Sequence, residues 1–119
     1  GRRREMPREE VHSELKSAFG LDKIASEYGM TELLSQAYSL GDGIFKTPPW
    51  MRVYVREATD PLTITARGKG ALNVIDLANI HSCPFIATQD LGHIHQDHSF
   101  EVLGRMDDSD VRGCNLMVV

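Results

Sequence analysis

The chain has 119 residues, 41% hydrophobic and 25% charged, an ordinary globular composition for one compact unit with a real core. Thirteen Lys and Arg against 17 Asp and Glu give a formal net charge of −4, so the total offers no polyanion-binding surface and no nucleic-acid partner is expected. No apolar run approaches the ~20 residues that cross a bilayer, and two cysteines, Cys83 and Cys114, are too few for a disulfide framework, so the expectation is a soluble cytoplasmic protein with free thiols.

In chain order, Gly1-Arg2-Arg3-Arg4-Glu5 reads as a solvated end, with a phosphate-facing arginine cluster as its functional alternative. Pro7 suits a first helical position, with Glu9 and Glu10 where the helix dipole favours acids. Val11, Leu15, Ala18 and Phe19 recur at helical spacing and Gly20 supplies the stop, which predicts an amphipathic surface helix. Lys23 to Tyr28 fits a buried strand, Gly29-Met30 a turn, and Thr31 the cap of a short helix reaching about Tyr38. Gly41, Gly43, Pro48 and Pro49 mark a loop, after which the helical period is gone. Met51, Val53 and Val55 alternate with Arg52, Tyr54 and Arg56 as a half-exposed strand. Further strands are expected at Ala71–Leu77, Phe85–Thr88, Gly92–His95 and Phe100–Gly104, with turns at Asp60-Pro61, Gly68 to Gly70 and Gln96-Asp97. The predicted class is α+β: a short α/β start over 1–45, then an antiparallel, barrel-like or sheet-like half over 46–119, the two forming a single structural unit.

Three segments carry chemistry. At Tyr28-Gly29-Met30-Thr31-Glu32, a glycine after a strand lets backbone approach a ligand, and a helix start at Thr31 would turn N–H groups toward a phosphate. Glu32 beside that anion would need a cation between them, and Mg²⁺ is the natural one; the ordinary reading is a capped helix start with a surface glutamate. His93, His95 and His98 form an H-x-H-x-x-H cluster in which His93 and His95 share a strand face, as two imidazole ligands must. Asp97, the other nearby ligand type, fits a turn better, and a solvent-facing hairpin explains the same residues. In the polar run from Gly104 to Asn115, a Cys114 thiol near Arg105 and Arg112 would be biased toward thiolate. Cys83, next to Pro84, Phe85 and Ile86, reads as a buried structural cysteine.

The order of these segments is more specific than any one of them. Tyr28-Gly29-Met30-Thr31-Glu32, Thr88-Gln89-Asp90-Leu91-Gly92 and Gly104-Arg105-Met106-Asp107-Asp108 followed by Arg112-Gly113 and Asn115 resemble the adenylate-forming (acyl-AMP) enzyme superfamily. The stretches Pro48-Pro49-Trp50-Met51-Arg52-Val53 and Gly70 to Leu77, with the Arg-Gly-Cys close, look like its acyl-protein synthetase branch, the LuxE family. The resemblance implies an ATP-dependent ligase acting on a carboxylic, typically fatty, acid, with Mg²⁺ as cofactor and an acyl reductase as partner protein. It places Tyr28 along the adenine, with Gly29 in the same nucleotide-binding turn, Thr31 on the α-phosphate and Glu32 on Mg²⁺. Asp90 would take the ribose hydroxyls and Arg105 the ribose from the other side; a diol is well held between a carboxylate acceptor and a guanidinium donor. Cys114 would be the acyl-accepting nucleophile that turns acyl-AMP into a thioester.

Gln89 departs from the superfamily's glycine, Asp107 matches its hinge with little chain beyond, and neither the phosphate loop nor the small domain with the catalytic lysine has a counterpart. The chain is therefore expected to be the C-terminal part of a larger enzyme, inactive alone. The alternatives are an isolated nucleotide-binding fragment without turnover, and a small His-rich metal-binding β protein.

Overall fold

The computed structural model describes residues 6–106. Its helix α1 spans Arg8–Phe19, one residue after Pro7, which stands as N-cap in extended conformation with Glu9 and Glu10 in the first turn. Gly20 ends it in the left-handed region at φ 64°, where a side chain would be strained, and the Leu21 N–H donates to the Lys16 carbonyl. The helix is where the spacing predicts it, but it buries no residue, and Phe19 is 70% exposed. One tie to the rest is the 2.8 Å contact of His12 Nε2 with Ser26 Oγ.

The predicted buried strand is trimmed to β1, Ser26–Tyr28, and the helix expected after Thr31 does not form. Thr31 and Glu32 instead lie in a turn closed by the Leu33 N–H on the Met30 carbonyl, and the chain returns as β2, Ala37–Ser39, antiparallel to β1. The reason is burial of period two: Leu33, Ser35, Ala37 and Ser39 are buried while Leu34, Tyr38 and Leu40 face solvent. A buried serine needs hydrogen-bond partners, and both have them. Ser39 Oγ donates to Asp42 Oδ1 at 3.1 Å and accepts from the Gly43 N–H at 3.0 Å. Ser35 Oγ donates to Asp76 Oδ1 at 2.7 Å and accepts from Trp50 Nε1 at 2.8 Å.

Met51–Arg56 (β3), Ile64–Thr65 (β4), Gly68–Asp76 (β5), Phe85–Ile94 (β6) and Phe100–Arg105 (β7) make one antiparallel sheet in the order β4-β3-β5-β6-β7. It is an open sheet, so the sheet-like alternative holds over the barrel. Met51, Val53 and Val55 are buried as their alternation requires. They join Leu72, Val74, Ile94 and Phe100 beneath Tyr28, Leu33, Ala37 and Phe45 in one core. Gly68 to Gly70 is strand rather than turn, and the two strands expected at Phe85–Thr88 and Gly92–His95 are one. Glycine is needed there for closeness: Gly70 and Gly92 are cross-strand partners, and a Cβ would lie 2.5 Å from the Arg56 carbonyl at Gly70 and 2.6 Å from that of Glu101 at Gly92.

Asp76, at the end of β5, is fully buried, with no ion pair to a cation among the described residues. Its Oδ2 accepts the Leu34 and Ser35 N–H groups at 2.9 Å each, and its Oδ1 accepts the Ser35 hydroxyl and the Ala78 N–H. Burial pushes this carboxyl up, but the Ser35 hydroxyl and the Ser35, Leu34 and Ala78 N–H groups outweigh it and hold it below the usual carboxylate value. Asp76→Ala would strip these buried donors of their acceptor, and a loss of about 3 kcal/mol is expected, read as a lower urea midpoint. A folded-state value below the unfolded one means that Asp76 contributes fully above about pH 4 and loses its contribution as pH falls through the folded value. Asp76→Asn should therefore flatten the acid limb of the stability profile; an acid limb identical to that of the parent would contradict this anchor.

Candidate functional site

The hairpin β6–β7 and strand β1 converge on Asp90. Asp90 and Arg105 are cross-strand partners in the hairpin, and Arg105 Nε lies 3.7 Å from Asp90 Oδ1. From the other side, the Tyr28 hydroxyl donates to Asp90 Oδ2 at 2.8 Å across 62 residues of sequence. The aspartate side chain is 17% exposed and the arginine 75%, so one is an acceptor at the floor of the site and the other a donor at its rim.

Tyr28 is held by its ring, which meets Phe100 at 5.4 Å and Phe45 at 6.1 Å, both edge-on. That ring is 8% exposed, so its hydroxyl, rather than an open ring face, reaches the site. Burial, then the hydrogen bond and the charge of Asp90, push its phenol well above the ordinary value of ~10. An open cavity of about 550 Å³ runs beside Tyr28, between α1 residues Arg8 and Glu9 and β7 residues Val102 to Gly104.

Asp90 owes its place to a local defect in the sheet. The β5–β6 register slips between Ala71 and Asn73, which leaves Thr88 to Asp90 without direct partners on β5, and the β6–β7 register slips between Leu91 and Gly92, one residue beyond Asp90. Leu72's carbonyl, left out of the ladder, accepts the Thr88 hydroxyl at 2.9 Å and Arg56 Nη1 at 3.1 Å. Arg56 also bonds Asn73 Oδ1 and the Thr88 carbonyl. The Thr88 Oγ1 in turn accepts the Asp90 N–H at 3.0 Å. Arg56 and Thr88 therefore position Asp90. The sequence reading missed both roles, although threonine two residues before an aspartate is a local signal for this hydroxyl–backbone bond.

The remaining predicted site residues are placed differently. With no helix at Thr31, the expected ring of helix-start N–H groups is absent among the described residues, and the Thr31 and Glu32 side chains are exposed on a turn. That turn is held by its backbone, through Asn79 Nδ2 donating to the Glu32 carbonyl at 2.9 Å. No hydrogen bond joins Thr31 or Glu32 to the Asp90 centre among the described residues. Gly29 does allow a close approach, but by a neighbouring side chain: its missing Cβ would lie 2.9 Å from Gln36 Cγ. Cys83 is exposed rather than buried, its Sγ 3.3 Å from the Phe85 carbonyl, because the turn before β6 runs over the surface. Arg2 to Arg4, Asp107, Asp108, Arg112 and Cys114 lie outside the described residues. His93 and His95 do share a strand face, with ring centres 4.5 Å apart, while His98 sits in the hairpin turn at φ 67°.

No family model matches the sequence, and no curated protein matches it. Solved structures do. The luciferase-like enzyme of the nonluminescent mealworm Zophobas morio is 20% identical, with a TM-score of 0.56 over 85% of this chain and 30% of that one. O-succinylbenzoate coenzyme A synthetase (MenE) of Bacillus subtilis, solved with AMP, is 20% identical, with a TM-score of 0.54 over 86% of this chain and 31% of its own. The N-terminal domain of FACL13 from Mycobacterium tuberculosis, solved with an inhibitor, is 16% identical, with a TM-score of 0.53 over 85% and 29%. The chain thus spans about a third of the length of these solved chains and shares their fold over that stretch.

The Tyr28–Asp90 bond has its own pH signature. A phenol raised above its unfolded value contributes stability that is complete below about pH 10 and is lost as pH rises through the folded value. Tyr28→Phe keeps the aromatic packing, so it should cost only about 1 kcal/mol near neutral pH. It should also weaken the alkaline fall in melting temperature; an unchanged alkaline limb would contradict the bond.

Proposed function

We propose that this chain is the nucleotide-holding part of an adenylate-forming ligase of the acyl-protein synthetase type. The observation that carries the reading is the Asp90–Arg105 pair, an acceptor and a donor facing each other across a hairpin, in the fold of a synthetase solved with AMP. Asp90 would accept from the ribose hydroxyls, Arg105 would close on the ribose from the rim, and Tyr28 would orient the aspartate and border the base. Residues that close on a larger body would also explain the exposed apolar side chains of α1 and of the outer sheet face, where Ile64 is 52% and Phe85 66% exposed.

Glu32 suits a cation shared with substrate phosphates, since Mg²⁺ is commonly held by one or two carboxylates with the phosphates completing its shell. When bound, Mg²⁺ would neutralise charge on the phosphates as pyrophosphate leaves. Thr31, exposed beside it, has its hydroxyl available to the α-phosphate. The proposed substrate is a carboxylic acid, fatty by the resemblance, whose carboxylate oxygen attacks the α-phosphorus of ATP. Pyrophosphate departs and acyl-AMP remains. The Cys114 thiolate then attacks the acyl carbonyl, AMP departs, and a thioester forms for delivery to an acyl reductase.

Two experiments test this reading. In backbone NMR of the 119-residue chain, AMP should shift the amides of Tyr28, Asp90 and Arg105, and Arg105→Gln should weaken the response about tenfold without changing the fold. Shifts confined to other residues, or none at millimolar AMP, would remove the nucleotide site. In the complete parent enzyme, Cys114→Ser should abolish stable labelling from radiolabelled fatty acid while acyl-AMP formation continues. Undiminished labelling would end the Cys114 assignment and leave the nucleotide site standing.

A further inference from the structure

The far end of the same hairpin gathers a second set of groups that the nucleotide reading does not use. His93 and His95 alternate along β6 and its continuation, so both imidazoles project from one face. Glu101 is the direct cross-strand partner of His93 on β7 and brings a carboxylate to the same face. His95 Nε2 lies 3.1 Å and His93 Nδ1 3.7 Å from one oxygen, Glu101 Oε2. The three donor atoms all fall within 4.8 Å of one another. Ligands about 2.0–2.1 Å from a tetrahedral zinc are about 3.3 Å apart, so these distances bracket those of a bound ion.

Hydrogen bonding alone does not account for the cluster. Among the described residues His95 Nε2 is closed off from solvent and makes no hydrogen bond, although Glu101 Oε2 lies 3.1 Å away. A buried ring nitrogen left unpaired is unfavourable, and a cation seated between nitrogen and carboxylate removes that penalty. The turn that sets the geometry is tightly defined. Asp97 Oδ1 accepts both the Ser99 N–H and the Ser99 hydroxyl, and the His95 N–H donates to the Ser99 carbonyl. Asp97 is thereby spent on the turn, and His98, in that turn, is not among the three clustered donors.

We propose that His93, His95 and Glu101 form a binding site for a divalent transition-metal ion, Zn²⁺ in the first instance, that clamps β6 to β7 at the hairpin tip. Two imidazoles and a carboxylate are the donor set such borderline ions prefer, whereas Mg²⁺ and Ca²⁺ take oxygen ligands. The three side chains are each about one-third exposed, which admits the ion and leaves a fourth position to water. The site is independent of the proposed nucleotide chemistry, whose residues lie at the other end of the hairpin.

The test uses the full chain purified without a histidine tag and stripped with a chelator. Zn²⁺ affinity is measured by competition with a chromophoric chelator, and Co²⁺ binding by its visible absorption. One equivalent per chain is expected, with the intense Co²⁺ bands of a tetrahedral site. Glu101→Gln and His95→Asn should each weaken binding by more than the about 10- to 100-fold that even outer-shell partners are worth. His81→Asn and His98→Asn should bind as the parent does. Failure to bind one equivalent, or binding that survives both Glu101→Gln and His95→Asn, would overturn the site. A melting temperature that rises with Zn²⁺ in the parent but not in Glu101→Gln is expected as a readout free of any activity.

Discussion

A single buried carboxylate holds the two halves of this chain in register. Asp76 sits at the end of the central strand β5, out of water, with no cation paired to it among the described residues. An ionised carboxylate is stable there only because four donors converge on it, two of them from Ser35 and one from Leu34, residues 41 and 42 positions earlier in the chain. These bonds dock the turn after β1 onto the sheet. Trp50 Nε1 on Ser35 Oγ and Asn79 Nδ2 on the Glu32 carbonyl extend the same network. The segment that precedes the docked turn carries Tyr28, whose ring joins the core and whose hydroxyl reaches Asp90.

The hairpin β6–β7 is the second device. The ladder of β6 is interrupted where its register to β5 slips, and the Leu72 carbonyl there is met by Arg56 and Thr88 side chains. Thr88 then fixes the Asp90 backbone, so an irregularity of the sheet becomes the mount for a side chain. At one end the hairpin sets a carboxylate against a guanidinium; at the other it sets two imidazoles against a carboxylate. Both arrangements follow from the same cross-strand rule, in which directly opposed residues share a face.

Much of this was legible in the residues. The alternation of Met51 to Arg56, the Gly20 stop and the spacing of His93 and His95 translate directly into strand, cap and shared face. The motif order brought Tyr28, Asp90 and Arg105 forward as one site, and the fold joins these three. The segment from Thr31 to Tyr38 misled because its buried positions alternate between apolar Leu33 and Ala37 and polar Ser35 and Ser39, so its period two is invisible to hydrophobicity. Those serines are buried because distant Asp76 and nearby Asp42 satisfy them, information that no local window holds. Glu101 was missed as a partner of the histidines for the same reason: its place depends on hairpin register, not on spacing along the chain. Gly70 and Gly92 look locally like turn and strand-start signals, whereas close packing of strands is their cause.

The central claim is that the Asp90–Arg105 pair holds a ribose diol, and one titration addresses it most directly. Calorimetry of the full chain with AMP and with its 2′,3′-dideoxy analogue compares ligands that share base and phosphate and differ only in the hydroxyls that Asp90 would accept. The account predicts that losing the diol weakens binding by about tenfold or more, because the half-buried Asp90 carboxylate is left with an unfilled acceptor position. Equal affinity for the two nucleotides would contradict it.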